Sequence, residues 1–225
     1  MKKFEIALFD LDGTLSESGE GILDCVRMVF KETGRPLPDE KTVRSFIGPP
    51  MYDSLSRCGF DHEAAKEGVE IYKRNYLEHG IYKNRVYDGM HETLSRLRDA
   101  GVRLGVASTK YQAFTDRIIT MLDLRQYFSV VGGSNVVGTL PAGEAPRRDK
   151  PDVMNYVIDS LRQSGSDRVV MVGDTKYDAD GAAKTGTAFI GCLFGYGSRE
   201  EMEQYYTLGK PMFVSSPAEI TDIII

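Results

Sequence analysis

The chain has few of the residues that hold soft metals or form covalent bridges. Its three cysteines, Cys25, Cys58 and Cys192, lie far apart and make no CxxC pair. That distribution suits small buried hydrophobes in a reducing compartment rather than a disulfide framework. The three histidines, His62, His79 and His91, are equally scattered, which argues against a zinc site. No apolar run approaches the roughly 20 residues needed to span a bilayer. Met1-Lys2-Lys3 leads straight into a short strand, with no signal-peptide h-region. The expected location is the cytoplasm. Positive charge is also in short supply: 28 Lys and Arg face 33 Asp and Glu, for a net charge of −5. This balance argues against nucleic acid or an anionic membrane as the main partner. No internal repeat or low-complexity segment stands out.

What remains is an ordinary globular composition, 41% hydrophobic and 27% charged over 225 residues. That is enough chain for one substantial core plus a small accessory domain. The run Phe4–Phe9 reads as a buried strand. Ile22, Cys25, Val26, Val29 and Phe30 then recur at helical spacing, and Gly34 and Pro36 end the helix. Further helices are expected over 39–46, 51–58 and 61–79, the last burying Ala64, Ala65, Val69, Tyr72 and Tyr76. No strand is expected in 16–88, which reads as a helical insert. From residue 89 onward strands alternate with helices. Strands are expected at 102–107, 127–131, 168–172 and 188–193, with a candidate edge strand at 211–214. Helices are expected from Met90 to Gly101, over 112–123, around Met154–Leu161 and over 178–184, with Gly186 as the last one's stop. Such alternation predicts an α/β fold with a parallel, doubly wound sheet covered on both faces. The Gly- and Pro-rich stretch 132–149 reads as one long loop.

Residues i and i+2 of an extended segment share a face, so Asp10 and Asp12 project together from the end of the first strand. Two carboxylates so placed repel unless a cation lies between them, and an oxygen-ligated Mg²⁺ answers that need. In an open parallel sheet, ligands bind beyond the carboxyl ends of the strands. The residues at those ends are Asp10, Asp12 and Thr14, then Ser108, Thr109 and Lys110, then Gly173, Asp174, Thr175 and Asp178. Lys150, followed by Pro151, starts the helix before the fourth strand. Taken singly, each has an ordinary structural role: a cap, a strand-ending turn or a surface lysine. Together they make a site for a phosphoryl group and Mg²⁺, in which acids hold the metal while a hydroxyl and a lysine hold phosphate oxygens.

These segments, DLDGTL at 10–15, VAST ending at Ser108-Thr109, KPD at 150–152 and VGDTKYD at 172–178, carry a family resemblance. The chain resembles the haloacid dehalogenase superfamily and, within it, phosphatases similar to phosphoglycolate phosphatase. The resemblance implies a Rossmann-like core of residues 1–15 and 89–225, with a four-helix C1 cap inserted at 16–88. It also implies that Asp10 is the nucleophile that forms an aspartyl-phosphate and that Asp12 is the general acid and base. Mg²⁺ would be held by Asp10, the Asp12 carbonyl, Asp174 and Asp178. Phosphate would be held by Thr14, Ser108, Thr109 and Lys150, and Arg44 and Gly48 are the cap's candidates for substrate contact. The stretch Gly138–Arg148 is longer and richer in Gly and Pro than this loop usually is in the family. The implied reaction is hydrolysis of a small phosphorylated metabolite, with phosphoglycolate or a nucleoside 5′-monophosphate as first substrates. A phosphomutase is the alternative built on the same motifs. The protein is expected to act as a monomer or weak dimer.

Overall fold

In the computed structural model, residues 2–135, 145–165 and 167–225 are described. The chain folds as two units, one of Met1–Ser16 and Val86–Ile225, the other of Glu17–Arg85. The larger unit opens with β1 (Ile6–Phe9), four apolar residues without solvent exposure. Then come β2 (Ser16–Glu17), α1 (Gly19–Glu32), α2 (Glu40–Arg44), α3 (Met51–Arg57) and α4 (His62–Glu78). A 3-10 turn at Gly80–Lys83 leads to β3 (Arg85–Val86) and α5 (Met90–Asp99). The remaining elements are β4 (Arg103–Tyr111), α6 (Gln112–Met121), β5 (Val130–Ser134), α7 (Lys150–Leu161), β6 (Val169–Gly173), α8 (Lys176–Thr185), β7 (Ala188–Cys192), α9 (Arg199–Tyr205), β8 (Met212–Val214) and α10 (Pro217–Ile224).

Six parallel strands form the main sheet in the order β5-β4-β1-β6-β7-β8, the parallel α/β class that the alternation predicts. β1 is central because it is apolar on both faces, as a strand covered from two sides must be. It is in register with β4 from Ile6↔Arg103 to Phe9↔Val106 and with β6 from Ile6↔Val169 to Phe9↔Val172. β1 and β6 therefore end side by side at one edge, where β4 runs on to Tyr111. Ile6 and Leu8 pack with Val153, Met154, Val157 and Ile158 of α7 in a cluster that includes Met171 and Phe189. Phe9, on the other face, meets Phe128 edge to face at 6.1 Å between centroids.

The helical unit packs Phe30 of α1 against Phe46 and Phe60, with centroids 6.1 and 5.4 Å apart. α4 buries Ala65, Gly68, Ile71, Tyr72, Asn75 and Tyr76. The expected face is thus rotated: Ala64 and Val69 are only half-buried. The cause is Gly68, whose missing side chain admits Leu55 and Val29.

Other departures share one cause, which is brevity or a missing periodic signal. β2 and β3 form a separate two-stranded sheet in a segment expected to lack strands. Two residues each are too few to show alternation. β4 runs on through Ser108, Thr109 and Lys110 to Tyr111. β5 takes in Gly132 and Gly133, which punctuate the sequence like a loop. The expected loop 132–149 therefore starts at Asn135, and its residues 136–144, including much of the unusual Gly138–Arg148 stretch, lie outside the described residues. α9 and α10 are short helices that the sequence pattern did not announce. Among the described residues no helix is long and apolar enough to cross a membrane, and the three cysteines are free thiols.

Candidate active site

Asp10 lies one residue past β1, and its backbone N–H donates to the Val172 carbonyl at 2.9 Å, prolonging the pairing with β6. By the period of two it shares the face of Ile6 and Leu8, the face that α7 covers. α7 begins where it does because the Asp149 side chain accepts from the Asp152 N–H at 3.0 Å, with Pro151 in the first turn. The first helical residue is Lys150. Its Nζ, buried, lies 2.6 Å from Asp10 Oδ1 and 2.7 Å from Asp178 Oδ1, and it donates to the Ala107 carbonyl at 2.9 Å. Asp178 stands at the third position of α8, where its Oδ2 accepts from the Thr175 backbone and hydroxyl at 3.0 and 2.8 Å. Asp174 follows β6 directly. Its Oδ1 accepts from the Thr14 hydroxyl at 3.1 Å and its Oδ2 from the Tyr196 N–H at 2.7 Å.

Ligand oxygens of Asp10, Asp174 and Asp178 lie within 4.8 Å of one another. Burial pushes Asp10 up to about 7, against the pull of Lys150 and with a further push from Asp178. Burial likewise raises Asp174 well above the ordinary carboxylate range, helped by Asp178 and Asp10. For Lys150 burial works against the charge, but Asp10 and Asp178 outweigh it and hold the ammonium protonated. Three carboxylates against one ammonium leave a formal surplus of two negative charges in a dry place. A divalent cation fits both that charge and the all-oxygen donor set.

This charge state has a consequence for stability. A carboxyl whose folded pKa lies above its unfolded value contributes stability at low pH and loses it as pH rises. Without divalent ions, the Asp10 contribution should therefore fall between pH about 4 and about 7, by about 2–4 kcal/mol. Urea unfolding in EDTA should show wild type losing stability relative to Asp10→Asn over that window, and added Mg²⁺ at pH 8 should restore it. Parallel profiles for the two proteins would contradict this reading.

Asp12 is not one of the three clustered acids. Its carboxylate is gripped by Lys110, whose Nζ lies 3.1 and 2.9 Å from the two oxygens. Ser108 is buried within β4, three residues before the strand's end, and its Oγ accepts the Lys110 N–H at 3.3 Å. Thr109, between them, is half-buried. Thr14, expected on phosphate, directs its hydroxyl to Asp174 instead. The structure thus brings Asp10, Lys150, Asp174 and Asp178 together, with Thr14 attached to Asp174. Arg44 and Gly48 belong to the helical unit. Arg44 is exposed and pairs with Glu40 one helical turn away at 3.4 Å, while Gly48 takes a left-handed φ of 109° between α2 and α3.

Two features escaped the sequence reading. Lys110 was visible as a residue at a strand end, but its partner was not. The Gly195-Tyr196 segment after β7 supplies the N–H that holds Asp174. A Cβ on Gly195 would stand 2.4 Å from Asp174 Oδ2, and one on Gly13, at φ +91°, only 2.2 Å from the same atom. β7 ends at the same sheet edge, so the strand-end rule could have found this loop; it passed unread because it carries no charge.

The comparisons agree with this geometry. The family model described as haloacid dehalogenase-like hydrolase matches residues 7–192. The tyrosine-protein kinase PtkA of Mycobacterium tuberculosis is 34% identical over 203 residues, covering 90% of this chain and 67% of that one. A 5'-nucleotidase of Pseudomonas aeruginosa is 34% identical over 199 residues, covering 88% of this chain and 86% of that one. The solved structure of a haloacid dehalogenase-like family hydrolase from Streptococcus pneumoniae superimposes with a TM-score of 0.84 at 29% identity, over 97% of both chains. With a match spanning both the first-strand carboxylates and the end of β7, the chain belongs to the haloacid dehalogenase-like hydrolases.

Proposed function

We propose that this hydrolase is a Mg²⁺-dependent phosphatase that cleaves a small phosphorylated metabolite through an aspartyl-phosphate on Asp10. The observation that carries the reading is the Asp10–Lys150–Asp178 chain, with contacts of 2.6 and 2.7 Å, set within the three-carboxylate cluster. Lys150 holds Asp10 Oδ1 and so orients the carboxylate for attack on phosphorus. Asp12 gives a proton to the leaving oxygen, then takes one from the water that hydrolyses the aspartyl-phosphate. Ser108 and Lys150 hold the oxygens of the transferring group, which is most of what a loose phosphoryl transition state requires; Thr14 and Thr109 support that edge. Asp10, the Asp12 carbonyl and Asp174 would hold the metal, with Asp178 orienting the set. Bound there, Mg²⁺ supplies charge neutralisation for the phosphoryl oxygens. The helical unit is assigned the choice of substrate, through Arg44 and the turn at Gly48.

Phosphoglycolate is the substrate suggested by the motif resemblance; the nucleotidase relative favours nucleoside 5′-monophosphates. A phosphate-release screen over phosphorylated metabolites with Mg²⁺, using Asp10→Asn as the blank, tests the reading and ranks the two. Steady release without a bisphosphate activator excludes the phosphomutase. Absence of release from every monoester, with phosphate passing from ATP to a tyrosine peptide instead, would replace this reading with the activity named for PtkA.

A further inference from the structure

The chemistry above gives no task to Lys110, a cation whose side chain is almost fully covered. The Lys110 side chain is 8% exposed, and its Nζ lies 2.9 and 3.1 Å from the two oxygens of Asp12, itself 13% exposed. A lysine head is ordinarily left in water. Taking an ion pair out of water is repaid only where the geometry is good. Here the geometry comes from the sheet. β1 and β4 are in register from Ile6↔Arg103 to Phe9↔Val106, and β4 runs on past the end of β1, with an irregularity between Ala107 and Tyr111, to bring Lys110 to Asp12. The Lys110 N–H is in turn tied to Ser108 Oγ at 3.3 Å. The two acids of DLD thus have separate lysines: Asp10 is held by Lys150 and Asp12 by Lys110.

We propose that Lys110 is a positioning residue for Asp12, fixing where that carboxyl group stands when it exchanges a proton with the leaving-group oxygen. The proposal rests on the phosphatase reading and deepens it. An aspartate in a turn can rotate about two side-chain bonds, and a grip on both oxygens removes that freedom. Displacing a catalytic group by about 1 Å can cost about 10²-fold in rate. The loss should depend on the substrate. A general acid matters for an alkoxide leaving group and little for one that departs readily as an anion.

The test compares wild type with Lys110→Met, which keeps the apolar stem, on monoesters ranging from p-nitrophenyl phosphate to a primary alkyl phosphate. The quantity read is kcat/KM, which excludes later hydrolysis of the aspartyl-phosphate. The alkyl ester should fall about 10²-fold while p-nitrophenyl phosphate stays within about 3-fold, a steeper dependence on leaving-group pKa. Both are read on one preparation, so any loss of folded enzyme cancels in the ratio. Equal falls on the two esters, or no fall on either, would overturn the proposal. If wild type releases no phosphate from any ester, the phosphatase reading fails instead, and a crystal structure of Lys110→Met decides the positioning role. There, a displaced or multiply placed Asp12 carboxyl group supports it, and an unmoved one overturns it.

Discussion

Asp10→Asn should abolish phosphate release, by about 10⁴-fold or more, and leave a folded protein that unfolds no more easily than wild type. The activity loss follows from chemistry: an amide cannot form the acyl phosphate that splits the reaction into two easier steps. The intact fold follows from shape and charge. Asparagine keeps the outline of aspartate and an Oδ1 that can accept from Lys150, now 2.6 Å away. It also removes one of three buried acids, the one that burial has pushed up to about 7. In EDTA at pH 8 the variant should therefore be as stable as wild type or more so, by about 1–3 kcal/mol, since a tenfold change in proton affinity on folding is worth about 1.4 kcal/mol. Phosphate release and urea unfolding on the same preparation check both halves. Retained turnover would remove Asp10 from the nucleophile's role.

Lys150→Met should damage both catalysis and folding, and the two losses should separate on adding metal. Methionine keeps the apolar part of the side chain, whose Cγ lies so close to α8 that a Cβ on Gly181 would meet it at 2.6 Å. What is lost is one ammonium, with its contacts to Asp10, Asp178 and the Ala107 carbonyl. Removing one partner from a buried ion pair costs about 3–5 kcal/mol, and here two carboxylates are stranded. In EDTA at pH 8 that destabilisation should appear in full; in Mg²⁺ most of it should vanish, because a divalent cation supplies the missing charge. Turnover should stay about 10²–10³-fold down even then, the usual cost of deleting one donor to a developing phosphoryl charge. An unfolding midpoint equal to wild type in EDTA would show that Lys150 does not balance this cluster.

The contrast between Lys150 and Lys110 shows how far the chain's order of residues speaks for itself. Lys150 was legible because a Pro follows it, which marks a helix start, and the helix does begin at Lys150. Asp10, Asp174 and Asp178 were legible for a similar reason: each sits one to five residues past an apolar run that can only be a buried strand. Lys110 prolongs a buried strand, yet its ion pair with Asp12 depends on how β1 and β4 lie against each other, which no local pattern encodes. The same holds for Thr14. Its hydroxyl looked free to take a phosphate oxygen but is turned to Asp174, which lies 160 positions along the chain.

The sequence alone therefore determined the α/β class and the sheet edge at which Asp10, Asp174 and Asp178 gather. Periodicity and strand-end chemistry act over a few residues, and those are written in the order of the chain. Tertiary structure decided the pairings: Lys150 with Asp10 and Asp178, Lys110 with Asp12, and the uncharged Gly195-Tyr196 turn with Asp174. Those depend on strand register and on backbones approaching within a Cβ's width, distances that exist only once the sheet has closed.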